Sequence, residues 1–374
     1  MLPRMQAPRI DLFEWLLHHA STAKYNLAYS NISGLTVEEF TELTSFLLPN
    51  TFDLGVNQQY GASELKECLR SLYDCTVNNI VTTTGASEAN YLVFSSLLSK
   101  GDEFIVEQPG YQPMWLTPEM LGAQRINWPR TFENEFRVDL EALKNLFTKK
   151  TKLVVLTNLH NPSGVYTDAT TIKAVAEVAC DHDAFVLVDE IFLDGAITKK
   201  PSSFGLPNVL VTSSATKIYG LGGLHSGWIV APEEIAMRCQ RMKAHTTGAS
   251  SYVSEIMTAR LLKDARDTVM KRFQKQATTN RAILKKWMNQ NPDILTWVEP
   301  EGGLVCFPKY SLKLPSVDLC KHLFETQKVL VNPGAYFNSE GFIRLSFGCD
   351  SEILQNGLEA LAIGMQNLSH VRPM

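Results

Sequence analysis

The sequence predicts an α/β protein: a large domain built on a mostly parallel, doubly wound sheet, joined to a smaller α+β domain. Three observations carry that expectation. Between about Val81 and Pro232, short β-rich runs alternate with helical segments. Those runs are near-continuously apolar, as strands are when helices cover both faces of a sheet. After about Lys263 the character changes to one long charged helical stretch, followed by short strands and turns.

The elements follow in order. After IVTTT, the segment Ser87 to Lys100 has apolar residues at helical spacing, with Ser87 as candidate N-cap and Gly101 as stop. EFIVE (103–107), KLVVLTN (152–158), AFVLVDE (184–190), NVLVTSS (208–214) and GWIVAP (227–232) read as strands. A helix from about Asp168 to Asp181 separates the second from the third. The long helical stretch is DARDTVMKRFQKQATTNRAILKKWMNQ, and short strands fall near GGLVCFP, VLVNPG and FIRLSFG. The expected division is a large domain over 36–274 and a small one from 1–35 and 275–374.

Composition narrows the function classes. With 374 residues, 45% hydrophobic and 20% charged, a sizeable core is expected. A net charge of −4 gives no basic stripe for nucleic acid, and no polybasic run suggests a membrane surface. The seven cysteines are scattered and never spaced as C-x-x-C, which fits a reducing compartment and no metal knuckle. The first residues lack a cleavable leader pattern, and apolar stretches such as LVFSSLL are too short to span a bilayer. A cytoplasmic protein is the expectation.

Open parallel sheets build ligand sites just past the carboxyl ends of their strands. Four positions qualify: Asn161 in NLHNPSG, Asp189 closing AFVLVD, Lys217 after VLVTSSAT, and Gly85, Ala86 and Ser87 opening the helix after IVTTT. Small residues at a helix N-terminus expose N–H groups and suit a phosphate. A desolvated lysine can form a Schiff base, and a strand-end aspartate can pair with a protonated pyridine nitrogen. The glycines of YGLGGLHSG do not make a dinucleotide loop, because His225 stands where G-x-G-x-x-G needs glycine.

Each element alone is weak; in this order they resemble the class I/II aminotransferases, the aspartate aminotransferase-like group of pyridoxal 5'-phosphate enzymes. The resemblance covers nearly the whole chain and is strongest to the capreomycidine synthase-like branch, through AKYNLAYSNISGLTVEEF and SATKIYGLGGLHSGW. It implies that Lys217, in S-A-T-K, carries the cofactor and moves protons. It implies that Asp189 faces the pyridine nitrogen, Asn161 the phenolic oxygen, and Tyr111, in Q-P-G-Y, the ring face. Gly85, Ala86, Ser87 and Ser214 match the phosphate cup. Arg344, in G-F-I-R-L-S-F-G, matches the arginine that grips the substrate α-carboxylate. Tyr25, Asn31 and Gly34 match the segment lining the entrance. A homodimer is implied as well, since sites of this family form at the subunit interface.

Three positions depart from the family. His225 occupies the slot of an arginine that clamps the phosphate, and Phe192 that of a tyrosine that bonds the phenolic oxygen. Val56 holds the slot of the tyrosine that reaches the neighbouring subunit's phosphate, with Tyr60 beside Gly61. A lost charge-assisted contact weakens binding by roughly 1.5–3 kcal/mol, of which a charged His225 imidazole would recover part. The implied activity is exchange of an amino group between an amino acid and a 2-oxo acid. A lyase, decarboxylase or cyclase of the same cofactor, or a cofactor-binding relative with reduced activity, stays open.

Overall fold

The central sheet has seven strands: β1 (Ile80–Thr84), β2 (Glu103–Gln108), β3 (Gln124–Pro129), β4 (Thr151–Thr157), β5 (Phe185–Asp189), β6 (Val209–Ser214) and β7 (Ser226–Val230). The chain is seen in a computed structural model that describes residues 7–370. The strand order is β1-β7-β6-β5-β4-β2-β3. Every neighbouring pair is parallel except those of β7, which runs antiparallel to both β1 and β6.

The apolar runs of the sequence have a direct cause. Along β4 and β5, Val154, Leu156, Val186 and Val188 enter one buried cluster, while Leu153, Val155 and Leu187 enter another on the opposite face. With helices over both faces, both alternating sets of positions in the middle of these strands are buried, so alternation disappears. Edge strand β3 (QRINWP) is the exception: only Trp128 is buried, and it left no apolar run to read.

The helix after β1 spans Gly85–Leu97, so its N-cap is Thr84 rather than Ser87, and it ends before Lys100. Gly85 has φ +74, which lets the chain turn from strand straight into helix without a Cβ clash. The Thr84 N–H is taken up by Glu88 Oε2 at 2.6 Å.

A further buried cluster joins the two ends of the chain: Trp15 and Leu27 pack with Leu284, Leu330 and Leu358. Its strands are short. Tyr25–Asn26 pairs in parallel with Val329–Leu330, and Ile343–Ser346 lies between Val305–Cys306 and Asn332–Pro333. The 25-residue helix Arg266–Gln290 spans both regions. Its Phe273 and Ala277 sit in the sheet cluster, and its Leu284 and Trp287 in the terminal one.

All seven cysteines are free. Among the described residues, no helix is long and apolar enough to cross a membrane, and no cluster could hold a metal ion.

Candidate active site

A cleft of about 440 Å³ opens at the carboxyl ends of the parallel strands. Lys217 lies on the connection after β6, and its Nζ donates to Asn31 Oδ1 at 2.7 Å. Burial, reinforced by the Arg344 cation and opposed by Asp189, pulls the amine down to about 8. Amines deep in low-dielectric surroundings give up their proton more readily than free lysine. Modification of the cofactor-free protein by trinitrobenzenesulfonate, followed by peptide mapping, is expected to label Lys217 with a midpoint near pH 8. Exposed lysines should not reach half-labelling until near pH 10.

Asp189 ends β5, and burial pushes its carboxyl up to about 6. Two donors hold it in place: Asn90 Nδ2 to Oδ2 and the Ile191 N–H to Oδ1, each at 3.0 Å. Asn90 is itself aimed by Thr212, whose hydroxyl donates to Asn90 Oδ1 at 2.6 Å. Asn90 lies one turn beyond the Gly85–Ser87 cup and lines the cleft, a role that sequence reasoning missed.

Arg344, only 3% exposed, donates from Nη1 to Asn161 Oδ1 at 3.1 Å and from Nη2 to the Ala28 carbonyl at 2.9 Å. Its Nε is buried with no hydrogen-bond partner. Burial brings the guanidinium down to about 10, still charged at neutral pH. The buried Arg130–Glu107 pair reaches the cleft through Thr157, which lines it and whose N–H donates to Glu107 Oε1 at 2.7 Å.

The reversed strand β7 explains how His225 arrives. Gly227 crosses so close to Gly85 that a Cβ there would lie 2.4 Å from the Gly85 carbonyl carbon. This places His225, in the left-handed region at φ 47, against the start of the helix. Its Nδ1 sits 3.4 Å from where a Cβ on Gly85 would be.

Of the residues expected from the sequence, Asn31, Gly85, Ala86 and Ser87 line this one cleft, as do Tyr111, Asn161 and Asp189. So do Lys217, His225 and Arg344. Four others do not. Ser214 is buried behind the wall, its hydroxyl 2.5 Å from that of Thr216, which lines the cleft in its place. Gly34 packs against the Gly220 carbonyl. Tyr60 is 61% exposed outside the cleft. Tyr25, expected at the entrance, instead pairs with Val329. Val56 also lies outside, whereas Phe192 forms part of the wall.

The profile of "Aminotransferase class I and II" matches residues 24–361. The chain belongs to that family. Capreomycidine synthase of Streptomyces vinaceus is 30% identical over 95% of this chain and 93% of its own. Aspartate aminotransferase of Pyrococcus horikoshii is 28% identical over 79% of this chain and 78% of its own. A PLP-dependent aminotransferase from Streptococcus suis superposes with a TM-score of 0.92 at 28% identity, covering 97% of this chain and 98% of its own.

The cofactor of this aminotransferase family is pyridoxal phosphate, and the cleft fits it. The buried Asp189 carboxyl, held up at about 6, is bonded directly only by neutral donors and feels the Lys217 cation as a weaker influence, so a protonated ring nitrogen would supply the close countercharge. The glycine approach at Gly85 and Gly227 leaves the helix N-terminus bare for a phosphate. Replacing His225 with arginine should therefore tighten cofactor retention about ten- to hundredfold, by adding a bidentate phosphate contact. Equilibrium dialysis followed by the visible absorbance band measures it; unchanged retention would count against His225 as a phosphate neighbour.

Proposed function

We propose that this protein exchanges an amino group between an amino acid and a 2-oxo acid. The observation that carries the reading is the convergence of Lys217, Asp189 and Arg344 on one cleft, with the Lys217 amine near neutrality at about 8. When bound, pyridoxal phosphate supplies an electron sink that makes the substrate's α-C–H bond acidic.

The chain's own residues supply the rest. Arg344 holds the substrate α-carboxylate, using the Nε that has no protein partner and keeping Asn161 as its second anchor. Lys217 Nζ would hold the cofactor and, as a neutral amine, would accept the substrate's α-proton and return it on the other side of the exchange. Asp189, fixed by Asn90 and Ile191, keeps the ring nitrogen protonated. Tyr111 forms the wall beside the ring, and the Gly85–Ser87 helix start with His225 takes the phosphate.

A cyclase or lyase is the second reading, favoured by the 30% identity to capreomycidine synthase along 95% of the chain. Stoichiometric appearance of a new amino acid from an added 2-oxo acid supports exchange. Product formed without any acceptor supports the second reading. Part of the proposal is also a homodimer in a reducing compartment. The exposed Tyr60 and the free cysteines are compatible with it.

A further inference from the structure

The wall of the cleft that no catalytic role uses is apolar, and its larger part comes from one element. The helix Asp11–His19 presents Leu12, Phe13, Leu16 and Leu17 to the cavity, joined across it by Ile191 and Phe192. This helix is firmly docked. The Leu12 N–H donates to Gln112 Oε1 at 3.0 Å, Gln112 Nε2 donates to Asp11 Oδ2 at 3.2 Å, and Trp15 Nε1 donates to the Val331 carbonyl at 2.9 Å. Phe13 also meets Tyr111 edge-on, with ring centroids 6.2 Å apart.

Among the described residues, the ionisable side chains of acids and bases that line the cleft are Asp189, Lys217, His225 and Arg344. Each already has a task in the reading above. The charges of the helix itself are spent elsewhere: Arg9 bridges Asp11 at 3.0 Å and Glu14 at 2.8 Å. His18 and His19 bond back to the carbonyls of Glu14 and Trp15.

From this we infer that the amino-acid substrate carries an apolar side chain, aliphatic or aromatic, which lies against Leu12, Phe13 and Leu16. The inference rests on the amino-acid chemistry proposed above. An acidic or basic side chain lying against Leu12, Phe13 and Leu16 would lose its hydration and meet no countercharge from this helix. An apolar one gains by leaving water, and the gain is realised only if the wall is closed around it. Phe13 and Leu17, 43% and 80% exposed, rim the mouth that such a side chain would cover.

The test uses the full-length holoprotein and a donor panel: L-leucine, L-methionine and L-phenylalanine against L-aspartate, L-glutamate, L-lysine and L-arginine. Single-turnover change of the cofactor's visible band gives kcat/KM for each. Apolar donors are expected to lead the charged ones by about a hundredfold or more. Preference for an acidic or basic donor overturns the substrate class while leaving the amino-acid chemistry standing. A band that no donor moves overturns that chemistry, and the substrate class with it. Phe13→Ala, at a half-exposed position that does not threaten folding, should lose about tenfold in kcat/KM for leucine and phenylalanine and nothing for L-alanine. Equal values for all three donors in variant and parent overturn the placement of the side chain.

Discussion

Lys217→Arg is expected to lower turnover by about 10³-fold or more, because the variant loses both the attachment point and the group that moves the proton. An arginine keeps the positive charge and most of the length. It does not release a proton at working pH, so a loss on this scale isolates the chemistry of the amine from its charge. Borohydride reduction of the holoprotein, followed by peptide mapping, should place the cofactor on Lys217. The cup at Gly85–Ser87 is untouched, so the variant should still take up cofactor non-covalently. Mapping to any other lysine would overturn the assignment.

Asp189→Asn should cost nearly as much. A buried carboxylate facing a cationic ring nitrogen is worth about 3–5 kcal/mol when one partner is removed, or roughly 10²- to 10⁴-fold in rate. The same substitution has an opposite effect on the cofactor-free protein. Folding raises this carboxyl to about 6 from 3.8. Its favourable contribution is therefore fully present below about pH 4 and is lost as pH rises through about 6. At pH 7 the folded, cofactor-free chain carries a buried anion whose cost is on the order of 3 kcal/mol. Asp189→Asn removes that cost, so the empty variant should melt higher than the empty parent at pH 7, with the difference vanishing near pH 4. Chemical denaturation at both pH values measures it. An inactive variant that is equally or less stable at pH 7 would contradict the electrostatic origin of the effect.

Much of the fold was legible because burial on both faces writes itself into the strands: β4, β5 and β6 each carry an unbroken aliphatic run, LVVL, VLV and VLV. What was not legible follows from the same rule. Strand β3 lies at the sheet edge with one buried residue, so no selection for a continuous apolar run acts on it. The helix N-cap slipped by three residues because the glycine that makes the turn is itself the first helical residue.

The strand-end residues of the site, Asp189, Asn161 and Lys217, were readable because their places are set by the sheet. Asn90 was not. An asparagine inside a helix gives no sign that it will meet an aspartate 99 positions away. The apolar wall from Leu12 to Leu17 was hidden for a related reason. Its residues look like an ordinary amphipathic helix, and only long-range packing turns that face toward Lys217.

The stretch from Tyr25 to Asn31 ties the far end of the chain to the cleft. The Ala28 carbonyl accepts from Asn332 and from Arg344, 304 and 316 residues away, and the Leu27 carbonyl accepts the Ser346 N–H. On a ribosome, those early residues emerge first and find their partners last. Closing a loop of that length is entropically costly only in a logarithmic sense, but it cannot happen before the partners exist. The sheet can assemble and bring Asp189 beside Lys217 while synthesis continues. The carboxylate-gripping arginine arrives only with the final tenth of the chain, so a truncated product would present a reactive lysine without the residue proposed to select what reaches it.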